Sequence, residues 1–193
     1  MDALEAIHVR RSMRQFTDAP VSRDTIVQIL EAERQAPSGK NRQPWHFIVA
    51  QGAKKTEAVE VMRTAVLLRK EQGEGLGSAE RTLPHMEQAP VIVFIFYPQS
   101  VETPPDIGLP SEFWTVADLS SIGAAIQNML LAALDLGLGT LWICDVFYAY
   151  DELRQWLGRQ DQMIAAIALG HPDESPAPRP RKPIEEIVAW VEE

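Results

Sequence analysis

Apolar residues recur every three or four positions along much of the chain, which is the spacing of a helix that buries one face. In residues 22–35 this pattern follows Ser22, a good N-cap, and Asp24 lies in the first turn, where the helix dipole favours an acid. Pro37 cannot continue that helix. The same spacing predicts helices over residues 2–9, 54–69, 78–88, 115–136, 151–158 (capped by Asp151) and, after Pro183, 184–191.

Four shorter apolar runs predict β-strands. They cover residues 46–50, 91–97, 140–146 and 163–170. Residues 91–97 are apolar throughout and include β-branched side chains, as in a strand buried on both faces. Helices and strands together predict an α+β fold, and no repeat or boundary divides residues 1–193, so we expect a single domain.

Composition and charge narrow the class of protein. Hydrophobic residues make up 46% and charged residues 23% of the 193-residue chain, as in ordinary globular domains. A formal net charge of -9 argues against non-specific nucleic-acid binding. The lone Cys144 excludes an internal disulfide, and with no apolar leader segment at the N-terminus we expect a cytoplasmic protein. The apolar region 122–143 carries Gln127, Asn128 and Asp135, so no membrane span is predicted, and the scattered histidines predict no metal site.

Two basic clusters stand out in this acidic chain. Arg10, Arg11 and Arg14 surround Ser12 near the N-terminus, and the run 179–182 carries Arg179, Arg181 and Lys182. Guanidinium groups repel each other unless an anion lies among them, and their planar forks match phosphate oxygens. The two clusters could therefore converge on one anion, although each could also be a solvated basic edge.

Two further stretches are weaker signals when taken alone. Residues 36–45 form a polar, turn-rich loop whose Ser38, Asn41 and Gln43 could contact one ligand, but a plain connection explains the same composition. Residues 137–143 read GLGTLWI. The two glycines are suited to the end of a helix. They do not form a dinucleotide-binding fingerprint, because no strand-GxGxxG-helix unit surrounds them.

In combination these motifs resemble the nitroreductase-like FMN-dependent oxidoreductase family. The run RRSMRQF precedes APSGKNRQPWHFIVA by about two dozen residues, in the order and spacing of that family, and GLGTLWI and Gln127-Asn128 match it as well. The resemblance spans residues 10 to 182. It implies a central mixed β-sheet flanked by helices, the nitroreductase-like homodimer fold, and FMN as cofactor with NADH or NADPH as electron donor.

The resemblance also implies a set of cofactor contacts. The phosphate of FMN would lie against Arg10, Arg181 and Arg179, and Arg14 would lie near the pyrimidine edge of the flavin. The loop around Ser38 would approach the flavin, in this family sometimes from the other subunit, so that the active sites would be shared in the dimer. The implied FMN-binding residues are Arg10, Arg11, Ser12, Arg14, Pro37, Ser38, Asn41, Gln43, Trp142, Ile143, Cys144, Arg179 and Arg181.

One of these positions departs from the pattern of the family. Family members often carry a glycine close to flavin N5 just after the strand, whereas Cys144 and Asp145 stand here. We expect Cys144 to be a small buried residue, with a reactive thiol as the alternative. Gln127 and Asn128 are expected to be structural hydrogen-bonding residues. A proline-rich segment, residues 98–110, is equally compatible with a lid over the substrate and a plain connection.

The implied reaction is a ping-pong hydride transfer through flavin N5, from NAD(P)H to a nitroaromatic, a quinone or a related small acceptor. No protein side chain is expected to act as nucleophile. Two alternatives remain: a specialised flavin reaction (reductive dehalogenation, enoyl-type reduction or cleavage of FMN itself) and a non-enzymatic flavin-binding module.

Overall fold

The computed structural model describes residues 1–98 and 110–192. The proline-rich segment for which a lid was considered lies almost wholly outside these residues. The helices are α1 (Ala3–Val9), α2 (Arg23–Glu33), α3 (Gly52–Glu71), α4 (Ala79–Gln88), α5 (Ser111–Asp135) and α6 (Tyr150–Trp156). The strands are β1 (His46–Gln51), β2 (Val91–Tyr97), β3 (Gly139–Ile143) and β4 (Gln162–Gly170).

The four strands form one sheet in the order β1-β2-β4-β3, with β2 and β4 at its centre. The predicted α+β class is confirmed. Among the described residues, however, every pair of these strands is antiparallel. Parallel pairing is confined to an isolated bridge between Ser12 and Thr140, so the expected mixed sheet is wrong for the strands themselves.

Each face of the sheet is covered by helices. Successive side chains of a strand point to opposite faces, and in β2 the pattern divides two hydrophobic cores. Phe94 and Phe96 belong to the core beneath α3, α4 and α6, whereas Val93 and Ile95 belong to the core beneath α2 and α5. Because both faces are buried, the strand reads as a continuous apolar run.

Helix α5 packs on the sheet through one face only. Ile122, Ile126 and Met129 are fully buried, whereas Val116 is 62% exposed and open space lies beside Gly123. Burial on several sides, as predicted, therefore does not occur within one chain. By length and composition alone α5 could cross a membrane, but core helices pass the same test, so this feature does not contradict the sequence prediction.

The side chain of Asn128 joins α5 to α2. Its amide donates to the carbonyl of Ala32 at 3.2 Å, which confirms the structural role predicted for it. Gln127 makes no such side-chain bond to the described part of the chain, so its predicted role finds no counterpart there.

Three predicted boundaries were wrong. Strand β3 stops at Ile143, because residues 145–149 turn into a 3₁₀ helix. Helix α6 is preceded by Ala149 as cap residue, and Asp151 lies inside its first turn. The predicted terminal helix is only a 3₁₀ turn at Ile184–Glu186. Its apolar side chains find nothing to bury against, since Trp190 is 82% exposed, and a short helix without packing is unstable in water.

Candidate functional site

The two basic clusters converge, as the sequence suggested. They line one cavity of about 370 Å³ at the C-terminal end of α1. The lining residues are Ile7, His8, Arg10, Arg11, Ser12, Arg14, Pro176, Ala177, Pro178, Arg179 and Arg181. We call this the arginine cavity.

Backbone hydrogen bonds hold both chain segments at this cavity. The amide of Met13 donates to the carbonyl of Thr140 at 2.9 Å, which attaches the N-terminal segment to β3. The amide of Thr17 donates to the carbonyl of His171 at 2.9 Å. The carboxylate of Glu174 accepts hydrogen bonds from the amides of Arg14 and, at 3.2 Å, Gln15. The segment that follows β4 is therefore aligned beside the N-terminal arginines before it reaches Arg179.

Gly139, the second glycine of the GLG motif, permits this close approach. A Cβ atom at residue 139 would lie 2.6 Å from Cγ of Met13 and 3.1 Å from Cβ of Pro172. The first of these separations is shorter than Cβ atoms show in real structures, so any larger residue would have to displace the Met13 side chain beside the arginine segment. The glycine is needed for packing rather than for direct contact with a ligand.

The arginine cavity has an uncompensated positive charge. Burial, followed by the charges of Arg181 and Arg11, lowers the pKa of Arg10. Within the described residues, none of the arginines that line the cavity forms an ion pair. Close guanidinium groups without counter-charges favour the binding of an anion. The donor set therefore fits a phosphate group.

The arginines are not equally available to such an anion. The Arg11 guanidinium donates to the carbonyls of His8 at 2.7 Å and Arg10 at 2.8 Å, which turns it toward the end of α1. Arg14 donates to the carbonyl of Ser12 at 3.3 Å. Arg181 makes only two long contacts of this kind, to the carbonyls of Arg179 and Pro180 at 3.4 Å each, and its charge acts directly on Arg10.

A second cavity, of about 550 Å³, adjoins the first and shares Arg14 and Arg179 with it. We call it the β3 cavity, since the end of β3 forms one wall and α4 forms another. Its lining residues are Arg14, Ser78, Arg81, Thr82, His85, Leu141, Trp142, Ile143, Cys144, Asp145 and Arg179. The predicted residues Trp142, Ile143 and Cys144 thus lie beside the arginine cavity. Sequence analysis did not identify Arg81 and His85. The only feature that could have indicated them is their spacing of four residues on a predicted helix.

Cys144 is exposed, so the prediction of a buried small residue was wrong. It follows the last residue of β3, where the chain turns away from the sheet and leaves the side chain at the cavity wall. Partial burial of the thiol, and then the Asp145 carboxylate, raise its pKa. The thiol is therefore held protonated rather than activated, which disfavours the reactive-thiol alternative.

The predicted loop residues Pro37, Ser38, Asn41 and Gln43 line neither of these two cavities. The loop is tightly folded, with left-handed φ angles of 54° at Asn41 and 47° at Gln43. The Ser38 hydroxyl accepts a hydrogen bond from the amide of Gln43 at 3.0 Å, and so stabilises the turn. Within one chain, the structure does not bring this loop to the arginines.

An ion pair anchors that loop to α5, and sequence analysis did not find it. The Arg42 guanidinium makes two hydrogen bonds to the Asp118 carboxylate, at 3.0 Å and 2.9 Å. The Tyr97 hydroxyl donates to the same carboxylate at 2.9 Å, and Arg42 lies 5.2 Å from the ring centre of Trp114. The Asp118 side chain is fully buried, and its contact raises the pKa of Arg42.

Glu33, at the end of α2 just before the loop, is a second buried acid. It is only 3% exposed, and its Oε2 has no hydrogen-bond partner in the described part of the chain. Burial raises its pKa to about 8. The side chain is therefore neutral at the lower end of the physiological pH range.

Comparisons with known proteins agree with one another. The model of the Nitroreductase family matches residues 7–171. A Methanothermobacter thermautotrophicus protein, provisionally named NADH dehydrogenase/NAD(P)H nitroreductase, is 32% identical over 183 residues, covering 93% of this chain and 82% of its own length.

Two solved structures share the fold over the full chain. One, from Desulfovibrio desulfuricans, is provisionally described as a nitroreductase in complex with FMN; it is 29% identical, with a TM-score of 0.79, over 100% of this chain and 98% of that chain. The other is a BluB-like flavoprotein from Clostridium difficile 630, which is 29% identical, with a TM-score of 0.80, over 100% of both chains.

Proposed function

Because this chain belongs to the nitroreductase family, we propose that it reduces nitroaromatics, quinones or related small acceptors in a ping-pong cycle. At the level of the family it is an NAD(P)H-dependent flavin oxidoreductase that uses FMN. We propose residues 1–193 as a single FMN-binding domain. Membership of the family does not by itself determine the class of acceptor or the order of the half-reactions, which are proposed here.

The observation that carries the proposal is the convergence of unpaired arginines from both ends of the chain on one cavity. A phosphate monoester carries a charge of about -1.5 to -2 at neutral pH. Arg10 and Arg181 supply two matching charges, with Arg179 close by. The Ser12 hydroxyl adds a neutral donor for a phosphate oxygen or for the ribityl chain. Bound there, FMN supplies the hydride chemistry, accepting a hydride from NAD(P)H and passing it to the second substrate.

The residues of the β3 cavity complete the proposed site. Arg14 lines both cavities, so its charge lies between the phosphate position and the space beside β3. A cation in that position stabilises negative charge on the ring system and favours its reduction. Trp142, which is 38% exposed, offers an apolar surface against which a planar ring can pack. In this scheme no side chain donates or removes electrons.

We further propose a homodimer with shared active sites. The support is the exposed apolar face of α5, where Val116 is 62% exposed and Gly123 has open space beside it. A helix surface of small and apolar residues suits close packing against a second copy. The loop of Ser38, Asn41 and Gln43, which lies apart from the arginine cavity, would then reach the cavity of its partner.

The first test is an absorbance spectrum of the purified protein, recorded before and after anaerobic addition of NADH or NADPH. Flavin bands near ~450 nm that bleach on addition support the proposed cycle. Bands that persist would favour the specialised flavin reactions or the non-enzymatic module. A colourless protein that FMN cannot reconstitute would refute the cofactor assignment.

Replacing Arg181 with alanine tests the phosphate site. We expect the Kd for FMN to rise by about 10- to 100-fold, because one charge-assisted hydrogen bond contributes about 1.5–3 kcal/mol. The Kd for riboflavin, which lacks the phosphate, should hardly change. Both values can be measured by quenching of flavin fluorescence on binding to the apoprotein. Arg23→Ala, at an exposed position on α2, is the matched control, and an equal loss for both ligands would contradict the assignment.

Replacing Arg14 with alanine tests the charge beside the ring. We expect the rate of flavin reduction by NAD(P)H to fall by more than the affinity for FMN, because this cation stabilises the reduced ring system. Stopped-flow absorbance of the FMN-loaded variant measures the rate directly. If the variant merely loses FMN while the remaining flavin is reduced at the normal rate, Arg14 has only a binding role.

A further inference from the structure

We infer that the β3 cavity contains a second anion subsite, in which Arg81 and His85 of α4 recognise a negatively charged group on the substrate. This inference rests on the proposed function, because it assigns the occupant of the space beside the flavin. The subsite predicts a preference for anionic substrates, which membership of the family does not by itself predict.

The geometry of α4 brings these two side chains together. Residues four positions apart lie on the same face of a helix, about one turn from each other. Both side chains line the β3 cavity. The opposite face of α4 is fixed in the core through Leu83, which is 5% exposed, and Met86, which is fully buried. The helix therefore presents a fixed pair of nitrogen donors to the cavity.

Arg81 has no carboxylate partner of its own. Other arginines of this acidic chain do have such a partner: Arg34 pairs with Glu31, and Arg63 pairs with Glu87. Arg81 forms neither an ion pair nor a side-chain hydrogen bond with any of the residues that the structure describes. An arginine that faces a cavity without a partner is available to a ligand.

The carboxylate of the β3 cavity does not neutralise this charge. Asp145 accepts hydrogen bonds from the hydroxyl of Ser78, at 2.7 Å and 3.0 Å, and from that of Thr82. These bonds hold Asp145 against the start of α4. Arg14 and Arg179 add two further positive charges to the walls. The cavity as a whole therefore carries a positive excess in an acidic protein.

This second subsite is separate from the one proposed for the phosphate of FMN. Arg10 and Arg181 line only the arginine cavity, whereas Arg81 and His85 line only the β3 cavity. The proposed flavin surface at Trp142 and the Arg81 side chain belong to the same cavity. A substrate that carries a carboxylate or sulfonate, bound in this cavity beside the flavin, would therefore have its charge within reach of Arg81. The same anionic chemistry could come from the 2′-phosphate of NADPH.

Binding of two inert ligands tests the subsite without turnover. Benzoate and benzamide have nearly the same shape and differ in charge. We expect FMN-loaded wild type to bind benzoate about 10- to 100-fold more tightly than benzamide, by isothermal titration calorimetry. Arg81→Ala should remove most of this preference and leave benzamide binding unchanged. Arg23→Ala should keep the wild-type preference, and His85→Gln should reduce it by a smaller factor.

Turnover measurements identify the source of the anion. If it is the acceptor, Arg81→Ala lowers kcat/KM for 4-nitrobenzoate about tenfold or more, with little change for 4-nitrobenzamide. If it is the electron donor, the variant instead slows reduction by NADPH relative to NADH. Either result supports the subsite.

Two outcomes overturn the inference. One is equal binding of benzoate and benzamide to wild type, and the other is an Arg81→Ala variant whose ligand and donor preferences match those of Arg23→Ala. Failure of the proposed function would look different. In that case neither nucleotide would reduce the bound flavin in wild type or variants, whatever the calorimetry showed.

Discussion

Replacing Asp118 with alanine is expected to lower the free energy of unfolding by about 3–5 kcal/mol, because it removes the carboxylate that forms a buried ion pair with the Arg42 guanidinium. Asp118 is fully buried, and the Arg42 side chain is only 9% exposed. The variant also removes the hydrogen-bond acceptor of Tyr97. Urea denaturation followed by circular dichroism measures the change.

Tyr97→Phe is the matched control for this variant. It removes one hydrogen bond to Asp118 and keeps the ion pair, so we expect a loss of only about 1 kcal/mol. A loss below 1 kcal/mol for Asp118→Ala itself would show that Arg42 reaches water once its partner is gone. Because Arg42 lies within the loop of Ser38, Asn41 and Gln43, Asp118→Ala should also disorder that loop, which proteolysis within residues 38–43 would detect.

Replacing Glu33 with glutamine is expected to stabilise the protein by an amount that grows as the pH rises from about 4.5 to about 8 and then levels off. Burial raises the pKa of Glu33 from 4.5 in its ordinary state to about 8 in the folded protein. The folded state therefore binds this proton more tightly than the unfolded state. The associated stability is fully present below pH 4.5 and is lost as the pH rises through about 8. Glutamine has nearly the same shape and no proton to lose.

The gain in the free energy of unfolding could reach about 5 kcal/mol at high pH, since the pKa rises from 4.5 to about 8 and each pKa unit corresponds to about 1.4 kcal/mol. Thermal melts of wild type and Glu33→Gln between pH 5 and pH 9 measure it. Glu31→Gln, at an exposed position on the same helix, is the control and should follow the wild-type profile. If wild type and Glu33→Gln lost stability in parallel as the pH rose, a cation would have to neutralise the Glu33 carboxylate in the folded protein.

Apolar spacing and capping residues predicted most of the fold, because helix caps and buried strands depend mainly on neighbouring residues. Ser22 caps α2 by accepting a hydrogen bond from the amide of Thr25, as its position before an amphipathic run indicated. The apolar run at residues 91–97 is the central strand β2. The prediction of a terminal helix was wrong for the opposite reason. Its local spacing was adequate, but no surface in the described part of the chain covers residues such as Trp190, and spacing alone does not supply one.

The sequence predicted only those residues of the candidate site whose positive charges are unusual in this acidic chain. Two arginine clusters in an acidic sequence required an explanation, and their convergence provides one. Arg42 and Asp118 could not be paired in advance, because they are 76 residues apart and each is an ordinary charged residue in its own segment. Arg81 and His85 were missed because only the packing of α4 against the end of β3 turns them toward a cavity.

The position of the arginine cavity has a consequence for the synthesis of the protein. Its two halves, residues 10–14 and 179–181, are far apart in the sequence and are therefore made at different times during translation. At about 5–20 residues per second, the ribosome needs roughly 10–30 s between them. During that interval the nascent chain has the first set of cations without the second, and residues 12–17 have no partner at residues 171–174. Cofactor loading is therefore expected to be one of the last steps of maturation, and flavin fluorescence quenching would report when the chain has closed on itself.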